Sequence, residues 1–407
     1  MAPPTTRAMR ARAAASSDRI PPDVLFDVLL RLPARDLCRL RAVSRSWRAL
    51  ASDPLFVAAH AERHGEPLFL AKFRDDMTSV YVVDLSGGVV KRMGIAAGAG
   101  GGPYHRLLCT RLDLGCLATD WNRCSVLDPA TGAVHVLPER PAEEHANCVN
   151  LSNPYTFFAL GRVASTGEHK VLRMFNRLGF HNGGQQIFEV FTINGGTGHA
   201  RWRGRQGPGL FIDECSSGVV DGVVYFLTSR VYEGARCGIR PDYIVSVDLG
   251  REEWRRDLRG PISSNAGYAK VSLYMRRQLA LAELKGSLVV ADHRLHPLTM
   301  DLWFLSDFES GLWVKQYHIW IESLNLRSAD EYHLKPLLML DDGRLVLYLA
   351  PTGWMFICDP GTSTFAQLDM KCLDSVAVYT GNLLSSEEDE RVRASSVHSY
   401  PSPSFQH

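Results

Sequence analysis

Three stretches of the chain bring together side chains that could do chemistry. Asp292, His293 and His296 offer a carboxylate and two imidazoles, the ordinary ligands of zinc and similar ions. No further ligand follows at a spacing that would complete a coordination shell, and "DHRLHP" reads as a loop. The run "GIAAGAGGGP" (94–103) is rich in glycine but leads into Pro103. A phosphate cradle needs the free N–H groups of a helix start after its glycines, so this run is a connection between elements. In "HARWRGRQGPG" (199–209), Arg201, Arg203 and Arg205 interleave with Trp202, a pattern that can grip nucleic acid. On a strand, alternation sends those arginines to one solvated face, and their surroundings are not basic. No Gly-x-Ser-x-Gly, His-Glu-x-x-His or Cys-x-x-Cys set occurs. Catalytic groups could still be gathered from distant segments, so an enzyme stays open as an alternative.

The composition is that of a globular chain with room for a large core. Of 407 residues, 45% are hydrophobic and 22% charged, and the formal net charge is +1. That balance argues against a nucleic-acid or anionic-membrane partner. No run approaches the roughly 20 apolar residues that cross a bilayer. The cysteines (Cys38, Cys109, Cys116, Cys124, Cys148, Cys215, Cys237, Cys358, Cys372) are odd in number and scattered, as expected of reduced thiols in the cytoplasm or nucleus. No cofactor or metal is expected. Residues 1–17, rich in Arg, Ala and Ser, read as a disordered tail, with a transit peptide as the alternative.

Residues 18–62 carry a helical pattern. Val24, Val28 and Leu32 recur every four residues beside Leu25 and Leu29, which makes one apolar stripe. Pro33 ends that helix. A second follows through Leu37, Leu40 and Val43, a third turn carries Trp47 and Leu50, and Asp53-Pro54 starts one more helix with Phe56. A unit this short seldom closes a core unaided, and it has more large apolar side chains than it can hide. Left bare, they would invite aggregation; they call for a partner surface.

This stretch resembles the F-box. Ile20-Pro21, Asp23-Val24, Val28-Leu29, Leu32-Pro33, Leu37, Val43 and Trp47 follow that family's order of residue types. Ile20 stands where Leu is usual, and Arg45 where Lys is common. The resemblance implies docking onto a Skp-family adaptor, and through it a cullin, by Ile20, Pro21, Val24, Leu25, Val28, Leu29, Leu32, Pro33, Leu37, Leu40, Val43 and Trp47.

From residue 66 to 384 the chain changes to short β-rich runs. One hairpin pattern recurs six times, marked by Asp84, Asp128, Asn194, Asp248, Asp307 and Asp359 at the turn. A second hairpin, with Gly115, Gly222, Gly286 or Gly343 before an apolar strand, precedes several of them. Two hairpins per unit make a four-stranded blade, and six units predict a six-bladed propeller. A β-sandwich is the alternative. The run "SVAVYTGNLL" (375–384) has no repeat of its own and is expected to complete the first blade. The layout resembles the kelch-like F-box-associated domain of plant F-box proteins. The expected fold is therefore α+β multidomain: a short all-α F-box of three to four helices, an all-β propeller-like domain of six blades, and a disordered tail over 385–407.

On this reading the chain has no active site. It is a substrate-recognition subunit of an SCF-type ubiquitin ligase; a propeller enzyme or a non-degradative scaffold is the alternative. Its target protein is expected on the face carrying the longer loops, through Phe180, His181, Arg230, Tyr232, Arg236, Arg240, His293, Arg294, His296 and Trp354. Tyr, Trp and Arg are the types enriched at interface hot spots.

Overall fold

The computed structural model describes residues 21–384 apart from 42, 96–104, 109, 120–122, 147–155, 177–185, 194–200, 229–241, 265–277, 296 and 325–333. Two units emerge among the described residues: a helical unit, comprising 21–66 and 382–384, and a β unit, Pro67–Gly381. The expected boundary at 384 therefore moves to Gly381, because the next residues pack into the helical unit.

The helical unit contains α1 (Pro22–Leu30), α2 (Ala34–Leu40), α3 (Arg45–Ala51) and α4 (Pro54–Arg63). Proline opens α1 and α4, where its missing N–H costs nothing, and the Asp53 carboxylate accepts the Leu55 N–H at 2.8 Å. Leu29, Leu37, Ala51, Phe56 and Leu384 form the buried core, and Phe26 meets Phe56 edge to face at 5.1 Å. Pro33 breaks the chain between α1 and α2 and strands carbonyls there. Two imidazoles from α4 and its end reach them: His60 Nε2 lies 2.9 Å from the Leu32 oxygen and His64 Nε2 lies 3.0 Å from that of Leu30. Burial holds the His60 imidazole below its ordinary pKa.

The β unit is a six-bladed propeller. Blade 1 is assembled from Leu373–Tyr379, Leu68–Phe73, Ser79–Val83 and Val89–Gly94, and blade 2 from His105–Leu107, Gly115–Thr119, Cys124–Leu127 and Val134–Val136. Blade 3 comprises Thr156–Arg162, His169–Asn176, Gln186–Thr192 and Arg203–Arg205. In blade 4, Ile212–Val220, Val223–Thr228 and Tyr243–Asp248 are followed by a split outer strand, Glu253–Trp254 and Leu258–Arg259. Blade 5 is Gln278–Leu284, Ser287–Leu295, Leu298–Asp307 and Leu312–Trp320; blade 6 is Leu334–Met339, Leu345–Leu349, Trp354–Asp359 and Thr364–Gln367. Middle strands such as "VVYFLT" are buried at every position, since both faces of a blade are covered by its neighbours.

The turn chemistry is repeated as the sequence implies. In the hairpins after Asp84, Asp128, Asp248, Asp307 and Asp359, the carboxylate Oδ1 accepts the N–H two residues on at 2.8–3.0 Å. Asn194, the sixth marker, lies outside the described residues. Asp221-Gly222 and Lys285-Gly286 are two-residue hairpin turns with positive φ at both positions. Gly115 differs: it opens a strand against Leu70, whose Cδ1 leaves no room for a Cβ.

The expected closing strand is present. Leu373–Tyr379 pairs antiparallel with Leu68–Phe73, so the last strand completes the first blade. Arg111–Leu112 adds a short parallel strand on its other side, a feature with no counterpart among the described residues of the other blades.

Candidate partner-binding surfaces

On the helical unit, α1 presents Val24 and Val28 one turn apart, 50% and 49% exposed. Val43, between α2 and α3, is 75% exposed, and Leu55 on α4 is 78% exposed. Pro21 and Pro33 are exposed as well. Leu25, Leu32, Leu40 and Trp47 are half-buried against the core. Leu29 and Leu37, expected at the adaptor contact, belong to the core instead. Helical periodicity alone cannot say which side of a wide apolar stripe faces inward. Ile20 lies outside the described residues. Leu55 is not among the residues expected from sequence, although its place beside the inward Phe56, a hundred degrees round the helix, is a usable signal.

The blades are antiparallel, so the turns from first to second and from third to fourth strand share one face of the propeller. There, Arg111, Leu112, Arg162, Asp221, Glu283 and Thr380 line an open cavity of about 470 Å³. Arg111 Nη1 donates to both Glu283 oxygens, at 3.2 and 3.3 Å, joining the inserted strand to blade 5. Nothing in the local sequence marks this pair, because its members come from different blades.

The second-to-third strand connections leave from the opposite face. Phe180, His181, Arg230, Tyr232, Arg236, Arg240 and His296 lie outside the described residues. The stretch holding His293 is not the long loop expected. Strand Ser287–Leu295 runs through it and the next strand begins at Leu298, so His293 is 2% exposed, inside the blade. Arg294 is half-buried, with Nη2 3.0 Å from buried Asp301. Trp354, at the start of its strand, is 40% exposed.

Of the arginines in "HARWRGRQGPG", Arg201 is exposed as expected, while Arg203 and Arg205 depart from expectation. Trp202 is buried, with its Nε1 donating to the Pro138 oxygen at 2.7 Å and its ring 3.9 Å from the Arg173 guanidinium. Arg173 and Glu189 form an ion pair with both side chains fully buried. Burial pushes Arg173 down to about 10, against the pull of Glu189. Arg203 and Arg205 do not face solvent freely. They converge with Lys170 on the Glu252 carboxylate, which reaches over from blade 4.

A small helical module followed by a closed β-propeller defines a two-part α and β architecture. Residues 17–58 match the F-box-like family, and residues 109–386 match the F-box associated beta propeller domain. The chain belongs to this F-box associated propeller family. The propeller reaches beyond the matched span, since the first blade begins at Leu68. F-box protein CPR1 of Arabidopsis thaliana is 29% identical over 164 residues, 38% of this chain and 37% of that protein. An F-box/LRR-repeat protein of the same plant is 25% identical over 315 residues, 73% of this chain and 66% of the relative. Virginiamycin B lyase from Staphylococcus aureus has a TM-score of 0.38 at 9% identity, covering 74% of this chain and 83% of its own. An oligogalacturonate lyase from Vibrio parahaemolyticus gives 0.40 at 9% identity, covering 75% and 79%. Likeness at that level transfers no chemistry.

Proposed function

We propose that this chain is the substrate-recognition subunit of an SCF-type ubiquitin ligase. Its helical unit docks onto a Skp-family adaptor bound to a cullin, and its propeller captures a target protein. The observation that carries this reading is the set of bare aliphatic side chains, Val24, Val28, Val43 and Leu55, on a unit that matches the F-box-like family. Burying them against an adaptor is favourable at about 25 cal/mol per Å². The chain acts as a tether with no catalytic group of its own, raising the effective concentration of target lysines near the charged ubiquitin carrier. It works in the cytoplasm or nucleus and needs no cofactor. Trp354 and the second-to-third strand connections are the first place to seek the target contact.

The test is capture of a purified Skp-family adaptor. Val28→Asp with Val43→Asp should abolish it, because a charge at each site would be desolvated in the complex. Circular dichroism and melting should match wild type, since both sites are exposed. Wild-type capture by the folded double variant overturns the assignment.

A further inference from the structure

We infer that the helical module is built from two stretches of chain far apart in sequence, and that Asn382–Leu384 positions the helices that face the adaptor. This rests on the function proposed above for its second half. Leu384 is 0% exposed and Leu383 2%. Leu384 packs among Leu29, Leu37, Ala51 and Phe56, so it is part of the core and not a strap laid over it. A unit of four short helices is near the size at which a core fails without a staple, and this segment serves as one.

The polar contacts show which parts are held. The Leu383 carbonyl oxygen accepts from Arg41 Nη1 at 3.3 Å and from Cys38 Sγ at 3.9 Å. Arg41 Nη2 donates to Ser52 Oγ at 3.1 Å, and Arg48 Nε donates to the Arg41 oxygen at 3.0 Å. Arg41 thus joins the returning segment to the ends of α2 and α3, at the corner that presents Val43. Asn382 Nδ2 donates to the Val57 oxygen of α4 at 3.1 Å, and its Oδ1 accepts the Leu384 N–H at 2.9 Å. That contact holds the helix presenting Leu55. The exposed aliphatic side chains and the segment 382–384 are therefore coupled through named groups.

The consequence is functional. A chain interrupted before residue 382, during synthesis or by proteolysis, carries every residue of the F-box pattern and still lacks the finished module. Adaptor loading is conditional on a chain that continues past the propeller.

The test uses the full chain, a chain ended after Gly381, a chain ended after Ser385, and the variants Leu384→Asp and Leu384→Met. Hydrogen exchange is read over α2, α4 and the propeller strand Val223–Thr228, with adaptor capture measured in parallel. The chain ended after Ser385 and Leu384→Met should behave as the full chain, Met restoring the apolar volume. The chain ended after Gly381 and Leu384→Asp should exchange at least tenfold faster in α2 and α4, keep propeller protection, and capture at least tenfold less adaptor. Unchanged exchange in α2 and α4, or an equal loss in the propeller, overturns the inference. If the full chain itself captures no adaptor, the proposed function fails, while the exchange result still decides whether the module is split.

Discussion

At the scale of single residues, Glu252 is a strongly perturbed group that links neighbouring blades. Its carboxyl is mostly buried, which by itself would favour the neutral form. Hydrogen bonds from Arg203 and Lys170 outweigh that burial and hold it down to about 2, against an ordinary 4.5. A carboxyl depressed on folding contributes stability above its unfolded value, and that contribution disappears as pH falls from 4.5 through about 2. Glu252→Gln should therefore be less stable than wild type at pH 7, by about 2 kcal/mol given charge-assisted bonds in a partly solvated site. The gap should close toward pH 2, where wild type loses the same interaction. Urea unfolding across that window checks this; a gap undiminished by acid would mean that packing, and not charge, is what Glu252 supplies.

Among the elements, the hairpin turns separate backbone conformation from close packing. Gly222 and Gly286 both have φ near +75°, a conformation that L side chains adopt with strain. A Cβ at Gly286 would meet open space, whereas at Gly222 it would lie 2.7 Å from the Arg162 oxygen and 3.2 Å from Val163 Cα. Gly286→Ala should cost about 1 kcal/mol, the strain alone. Gly222→Ala must also displace the backbone of blade 3, so its cost should be about 3 kcal/mol. Denaturant midpoints compare the two directly. Equal losses would show that the blade 3 backbone yields freely at this contact.

For the whole molecule, closure of the ring decides stability. Leu373–Tyr379 is paired on both sides, by Leu68–Phe73 and by Arg111–Leu112, and Val376 within it is buried between blades 6 and 1. Val376→Pro places a residue without an N–H in that strand and should cost about 3 kcal/mol or more. Opening the ring also frees a sheet edge, so light scattering of the variant should rise with concentration as molecules pair edge to edge. Val136→Pro is the control, on an exposed outer strand of blade 2, and should cost far less. A monomeric Val376→Pro chain with near-wild-type stability would mean that the ring does not depend on this strand.

What the sequence determined by itself is what local chemistry carries. Pro33 and Asp53-Pro54 set helix ends, Asp84 through Asp359 mark turns whose carboxylates cap their own backbone, and six like hairpins imply six blades. Each of these depends on residues within a few positions of one another. Tertiary packing turns Leu29 and Leu37 inward and leaves Val24 and Val28 bare, because an apolar stripe has two flanks and packing chooses between them. The same holds for His293, drawn into a strand by pairing with blade neighbours, and for Arg203 and Arg205, taken from solvent by a carboxylate 47 residues or more away. Arg111 with Glu283, and Leu384 with the core of α1 to α4, join segments separated by 172 residues or more. Such contacts leave no periodicity or spacing to read, since the chain between them decides only that they can meet, and the burial of shared apolar surface decides that they do.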